Sequence, residues 1–270
     1  MRINQNIQAF NAYRNLSKTN TRMGKSLEKL SSGFRINRAA DDAAGLVKSE
    51  NLRSEINGTR RATQNAQDGI SFVQTAEGAL NEVHAILQRM RILAVDAANT
   101  ATTDGVPQQA EVDQLLLELD TIGTRTKFAG VSVFQDYSTN ALTFQVGAGA
   151  TDQLVLTNNL SMSSANVFGV DISAITMSAA TSALTSLDTA IANVSGARSI
   201  LGATQNRLEH TISNLQVAQE NLSASESRIR DTDMALEMVN FTRNQIMTQA
   251  GTSMLAQANQ LPQSVLALLG

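Results

Sequence analysis

The 270-residue chain has no cysteine and no tryptophan, and only two histidines, two prolines and two tyrosines. Without Cys there is no disulfide, thiolate nucleophile, Cys-ligated zinc or iron–sulfur cluster. His84 and His210 have no third ligand at metal spacing, so solvated positions are expected for both. Aromatics are 4% of residues, so any core must pack with Leu, Ile, Val, Met and Ala. No run of about 18 apolar residues exists to span a bilayer. The first residues also lack the apolar stretch of a secretory signal, so export would need another route. With Pro107 and Pro262 as the only hard breaks, long helices are allowed.

What is present is 42% hydrophobic and 17% charged, a composition able to bury a core. Residues 1–40 carry eight Lys/Arg against Glu28 alone, which leaves −10 on the remainder of a chain whose formal charge is −3. These cations are spread at helical spacing rather than clustered, so neither nucleic acid nor membrane insertion is expected. Leu187, Ile191, Val194, Arg198, Leu201, Gln205, Leu208, Ile212, Leu215, Gln219, Leu222, Glu226 and Ile229 follow an unbroken 4-3 spacing. That is the seam of a coiled coil, with polar positions setting register. A matching run, Leu52, Ile56, Ala66, Ile70, Val73, Leu80, Val83, Leu87, Met90 and Ala94, predicts its partner. A third helix with Val112, Leu115, Leu116, Leu119 and Ile122 suits an antiparallel return.

The period then changes to two. Val131–Phe134, Leu142–Val146 and Gln153–Leu156, punctuated by Gly130, Gly147 and Gly149, predict β-hairpins near 128–156. Gly147-Ala148-Gly149 has no helix after it, so it reads as a turn rather than a phosphate loop, and no cofactor is implied. Residues 157–186 hold eleven Ser/Thr and are expected to form an exposed loop, with Ser161, Ser163, Ser164 and Thr176 as candidate O-glycosylation sites.

Both ends carry apolar stripes: Ile3, Ile7, Phe10, Leu16, Met23, Leu27, Leu30 and Phe34 at one, Met234, Met238, Phe241, Met247, Met254, Leu255, Leu261, Val265 and Leu266 at the other. From Asn244 to Gly270 there is no charged side chain, and the polar face consists of amides such as Gln249, Gln257 and Gln260. An isolated surface helix is ordinarily charged. A helix surrounded by copies of itself is better served by amides, because buried charge is costly.

Those ends resemble bacterial flagellins. The amino-terminal likeness runs from Ile3-Asn4 to Asn15-Leu16 and then from Ser26-Leu27-Glu28-Lys29-Leu30-Ser31-Ser32-Gly33 through Asp41-Asp42-Ala43-Ala44-Gly45-Leu46. The carboxy-terminal likeness includes Ser227-Arg228-Ile229, Gln249-Ala250-Gly251-Thr252-Ser253 and Leu255-Ala256-Gln257-Ala258-Asn259-Gln260, and Lys127-Phe128-Ala129-Gly130-Val131 is similar to the family's hairpin. The resemblance implies a mainly α fold: a long antiparallel coiled-coil rod at 43–230, and a discontinuous terminal domain, 1–42 with 231–270, whose paired helices line a channel. It implies a secreted, extracellular filament subunit and not an enzyme, with a hook–filament junction protein as the alternative. Implied partners are further copies of itself, an export chaperone, and filament cap and hook-junction proteins.

Leu27, Leu30, Leu208, Leu215, Gln257 and Leu266 are the expected subunit-packing residues. Asp41-Asp42 and Asp231-Thr232-Asp233 fit helix caps better than paired catalytic carboxylates. Residues 87–95 are open to two readings, a structural one and a recognition one. By resemblance the stretch is similar to that bound by an animal Toll-like receptor, with Arg89 and Leu93 matching, Glu111 expected beside Arg89, and Ile92 where an acid is common.

Overall fold

The computed structural model describes residues 5–99, 105–135, 141–156, 160–163 and 166–269, the last nine as backbone. In chain order it has α1 (Ile7–Ser32), α2 (Ala43–Ala97), α3 (Val106–Arg125), β1 (Lys127–Phe128), β2 (Val131–Ser132), β3 (Leu142–Gln145), β4 (Gln153–Leu156), β5 (Met162–Ser163), β6 (Asn166–Val167), a 3-10 turn (Met177–Ala179), α4 (Ala180–Arg230) and α5 (Met234–Leu269). The strands form three antiparallel pairs, β1-β2, β3-β4 and β5-β6. Mainly α with small hairpins is the class that the sequence implied.

The contacts divide into two compact units, one of Met1–Ile56 with Asn221–Gly270 and one of Asn57–Glu220. In the second unit α2 and α4 run antiparallel, since Arg198 meets Glu77 at 3.6 Å while Arg91 meets Asp188 at 2.6 Å. The third helix returns as expected, with Arg89 meeting Glu111 and the Gln108 amide donating to Asp96 at 2.7 Å. The core joins Val73, Leu80, Val83, Leu87 and Met90 of α2 to Val112 and Leu119 of α3 and Leu187, Val194 and Leu201 of α4. Phe72 stacks edge-on to Phe128 and Phe144, at 5.9 and 6.0 Å between ring centres, which fastens two hairpins to α2.

The tight β1–β2 turn places Ala129 at φ 49° and Gly130 at φ 85°, a left-handed pair that a two-residue hairpin needs. β3 and β4 pair Phe144 with Leu154 and Leu142 with Leu156, in the alternation expected of them. The segment 157–186 differs from its expectation as an exposed loop. Leu160, Met162, Val167, Phe168, Ile172, Ile175 and Met177 are buried, and α4 begins at Ala180. Among the described residues between Leu160 and Met177, Ser161, Ser163, Ser173 and Thr176 stand between apolar residues that enter the core.

Buried positions also refine the seam. In α4 the fully covered stripe is Ala183, Leu187, Ala190, Val194, Ala197, Leu201, Thr204 and Leu208. Ile191, Arg198 and Gln205 are only half-buried. Beyond Leu208 the half-buried stripe is the expected one, Ile212, Leu215, Gln219 and Leu222.

Candidate subunit interface

Within the first unit, α1 and α5 pack against each other through a seam that mixes small residues with a few large ones. On α1 the inner positions are Ala9, Ala12, Leu16, Thr19, Met23, Ser26 and Leu30, at 3-4 spacing. On α5 they are Glu237, Phe241, Asn244, Thr248, Gly251, Leu255 and Ala258. A Cβ on Gly251 would lie 3.2 Å from Leu16 Cδ1, so the helices approach closely at that point. The pair is antiparallel. Asn6 Nδ2 donates to the Ala258 carbonyl at 2.7 Å, Thr248 Oγ1 to Asn20 Oδ1 at 3.4 Å, and Lys29 lies 3.9 Å from Glu237. Asn6 also caps α1 by accepting from Ala9 N at 3.0 Å.

Leu16, Met23, Leu30, Phe241 and Leu255 enter the seam, but most of the large apolar residues of the pair point outward. Ile7, Phe10, Tyr13, Leu27, Leu236, Met238, Val239, Ile246, Met247 and Met254 are all at least half exposed, Phe10 to 70%. A soluble monomer rarely shows so much contiguous apolar side chain without a partner for it. Along α5 this surface is bordered by uncharged amides and hydroxyls, with Arg243 the last ionised group.

Chain entry and exit are clamped where α1 meets α2 and α4 meets α5. Phe34 and Asp231 form an antiparallel bridge, Arg35 N donates to the Arg230 carbonyl at 2.6 Å, and Thr232 N donates to the Gly33 carbonyl at 3.0 Å. Gly33 ends α1 at φ 74°, a left-handed cap that suits glycine. The Arg230 guanidinium lies 4.9 Å over the Phe34 ring and 2.7 Å from Glu50. Its hydrogen bond holds the Glu50 carboxyl below its ordinary pKa. Asp42 accepts from Gly45 N at 2.9 Å and Asp233 from Leu236 N at 3.1 Å, so both serve as helix caps. Asp41 accepts from the amides of Arg38 and Asn37, and the Arg38 amide contributes most to lowering its pKa. Asp41, Asp42 and Asp233 thus each accept from a backbone amide, the structural role that such positions favour.

The expected packing residues separate. Leu27 is 58% exposed on the free face of α1, Gln257 is exposed near the opposite end of the pair beside Gln8 and Asn11, and Leu30 is half-buried in the α1–α5 seam. Leu208 is fully covered inside its own chain and Leu215 is half-buried there. Leu266 lies on α5, and its side chain is outside the described residues. What the sequence reading missed is the outward set Tyr13, Leu236, Val239 and Ile246. The clue was that several large residues fall one position off the small-residue stripe.

Two comparisons identify the lineage. A profile of the bacterial flagellin N-terminal helical region matches residues 3–139, and one of the bacterial flagellin C-terminal helical region matches 184–269. The chain is 48% identical to a flagellin of Bacillus subtilis and 50% identical to one of Halalkalibacterium halodurans, each alignment covering the whole of both chains. The chain belongs to the bacterial flagellin family. It is a structural subunit of the flagellar filament, a polymer outside the cell, and no helix among its described residues is long and apolar enough to cross a membrane. A crystal structure of Bacillus cereus flagellin, 28% identical, aligns over 56% of this chain and 88% of its own with a TM-score of 0.49.

The stretch 87–95 is divided by the fold. Arg89 Nε and Nη2 meet Glu111 Oε1 and Oε2 at 2.6 and 3.0 Å, a two-pronged pair on the surface. Ile92 is 60% exposed beside it, but Leu93 is only 7% exposed and faces the core. Ser161 and Ser163 are half-buried, Thr176 is exposed, and Ser164 lies outside the described residues. His84 contacts Gln88 at 2.9 Å. Among the described residues no three His, Asp or Glu side chains gather as a metal would require.

Proposed function

We propose that the chain polymerises through the outward faces of α1 and α5, and that residues 1–42 and 231–270 form the channel-lining layer with 43–230 outside it. The carrying observation is the helix pair itself, in which about half of the seam is small and most of the large apolar residues face away. Burying each such residue against a neighbouring copy contributes about 1.5–3 kcal/mol for a fully covered Leu or Phe. The amide-lined, uncharged end of α5 suits a wall repeated at every subunit, since no ionised group loses its water there.

The same face fits an export chaperone, which would hold an amphipathic helix in a groove until assembly. Cap and hook-junction proteins would meet it at the filament's ends. Support for an animal Toll-like receptor contact is narrower than the sequence implied, resting on the exposed Arg89–Glu111 pair with Leu93 turned inward. Any O-linked sugar would be best accommodated on exposed Thr176.

Seeded polymerisation tests the reading. Leu27→Ser should leave the monomer's thermal melting unchanged and raise the concentration needed for filament growth by about tenfold, the loss expected from one uncovered Leu. Growth at the wild-type concentration would place the interface elsewhere.

A further inference from the structure

The two flanks of the α1–α5 pair differ. On one flank a groove of about 500 Å³ lies between the helices, with Leu16, Met247, Ala250 and Met254 as its apolar floor and Asn11 and Gln257 on its rim. On the other flank Phe10 and Tyr13 stand out from α1 beside Leu255, 70% and 63% exposed. Phe10 and Tyr13 are three apart on one face of the helix, about half a turn from Asn11 and Asn15. The residues lining both are uncharged, with Arg14 donating to Asn11 Oδ1 at the groove's rim at 2.8 Å.

We propose that the Phe10–Tyr13 ridge of one copy seats in the Leu16–Ala250–Met254 groove of the next. This rests on the polymerisation reading above and assigns its contact. Three observations favour a second copy as the occupant. The groove has the volume of a small-molecule pocket, room enough for aromatic side chains, and its methionines can adjust to them. The groove's floor and the ridge are uncharged, so an acidic or basic partner would gain no ion pair inside the groove, while a second copy's ridge seats there without stranding a charge. Ridge and groove lie on opposite flanks of one helix pair, so each copy uses both and the contact is head-to-tail. Groove on groove would stop at a dimer, whereas ridge in groove leaves a free site at each end and propagates.

The test is a coupling measurement on the full chain by seeded growth, with circular dichroism of each monomer as the folding control. Phe10 and Ala250 are exposed, so Phe10→Ala and Ala250→Leu should leave monomer spectra unchanged. Phe10→Ala empties the groove and Ala250→Leu fills it. Each alone should raise the critical concentration about tenfold, and the double variant no further than the worse single, because both act on one contact. Phe10→Ala with Leu27→Ser, off the ridge, should instead multiply. Multiplying penalties for Phe10→Ala with Ala250→Leu, or wild-type growth of Phe10→Ala, would overturn the seating while filament formation stands. Failure of the unaltered chain to grow on seeds would sink the polymerisation reading itself.

Discussion

At the level of single residues, the junction around Arg230 connects charge to pH. Glu50 has its pKa lowered from 4.5, first by the hydrogen bond from Arg230 and then by the nearby Arg53 and Arg230 charges. A carboxylate held lower in the folded chain adds stability at pH above its ordinary value, and that stability is lost as pH falls through the folded value. Acid should therefore loosen the clamp, beginning below pH about 4.5. Arg230 would keep its place over Phe34, but Glu50 would no longer anchor it. Glu50→Gln removes the titrating group. Between pH 7 and pH 3 its melting temperature should fall less steeply than that of the unaltered chain, measured on monomers by circular dichroism. Parallel slopes would show that Glu50 is energetically silent. Half-exposed as it is, the pair contributes modestly, as surface ion pairs do.

At the level of elements, the difference between the expected and observed seams has a physical cause. A single partner helix needs one narrow stripe, and that is what the 4-3 spacing of Leu, Ile and Gln describes. In the second unit α4 is covered by α2 and by the 160–177 segment as well, since Asn193 donates to the Phe168 carbonyl. Its buried face shifts by one position, to Ala190, Ala197 and Thr204. Alanine is the best helix former at exposed and covered positions alike, and Thr204 is polar, so those positions carried little signal. The same ambiguity hid the α1–α5 seam, because Ala9, Ala12 and Ser26, which face the partner helix, stand out in no hydrophobic pattern. Helix existence, the hairpins near 128–156 and the Asp caps were legible because spacing and backbone chemistry alone determine them. Substitution can check the shifted seam. Ala190→Leu should overpack the core and cost about 1–3 kcal/mol. Leu208→Ala should cost about 2–5 kcal/mol, and Leu215→Ala much less because it is already half in water. A neutral Ala190→Leu, by thermal melting of the monomer, would return the seam to Ile191.

At the level of the whole molecule, the two units are held by different amounts of apolar contact. The second unit has a continuous core from Phe72 to Leu201, with Leu80, Leu87, Met90, Leu119 and Leu187 fully covered. In the α1–α5 pair the well-covered residues are Thr19, Ser26, Glu237 and Ala258, which bury little apolar surface. Its large residues wait for neighbouring copies. Segments with few buried apolar contacts open at low free-energy cost, and a protease cuts the opened state. Trypsin should therefore attack the monomer first at exposed Arg14, Lys18 and Arg22 of α1 and at Arg243 of α5. No Lys or Arg follows Arg243, so residues 244–270 should leave as one piece, identifiable by mass. Arg198 and Arg207, on α4 in the second unit, should resist for longer although Arg207 is exposed, because opening them exposes buried Leu201 and Leu208. In filaments the same sites on α1 and α5 should be spared, since covering Phe10, Leu27 and Met247 raises the cost of opening the pair. First cuts at Arg198 or Arg207 in the monomer, or release of residues 244–270 at equal rates from monomer and filament, would show that the chain ends do not depend on their neighbours for stability.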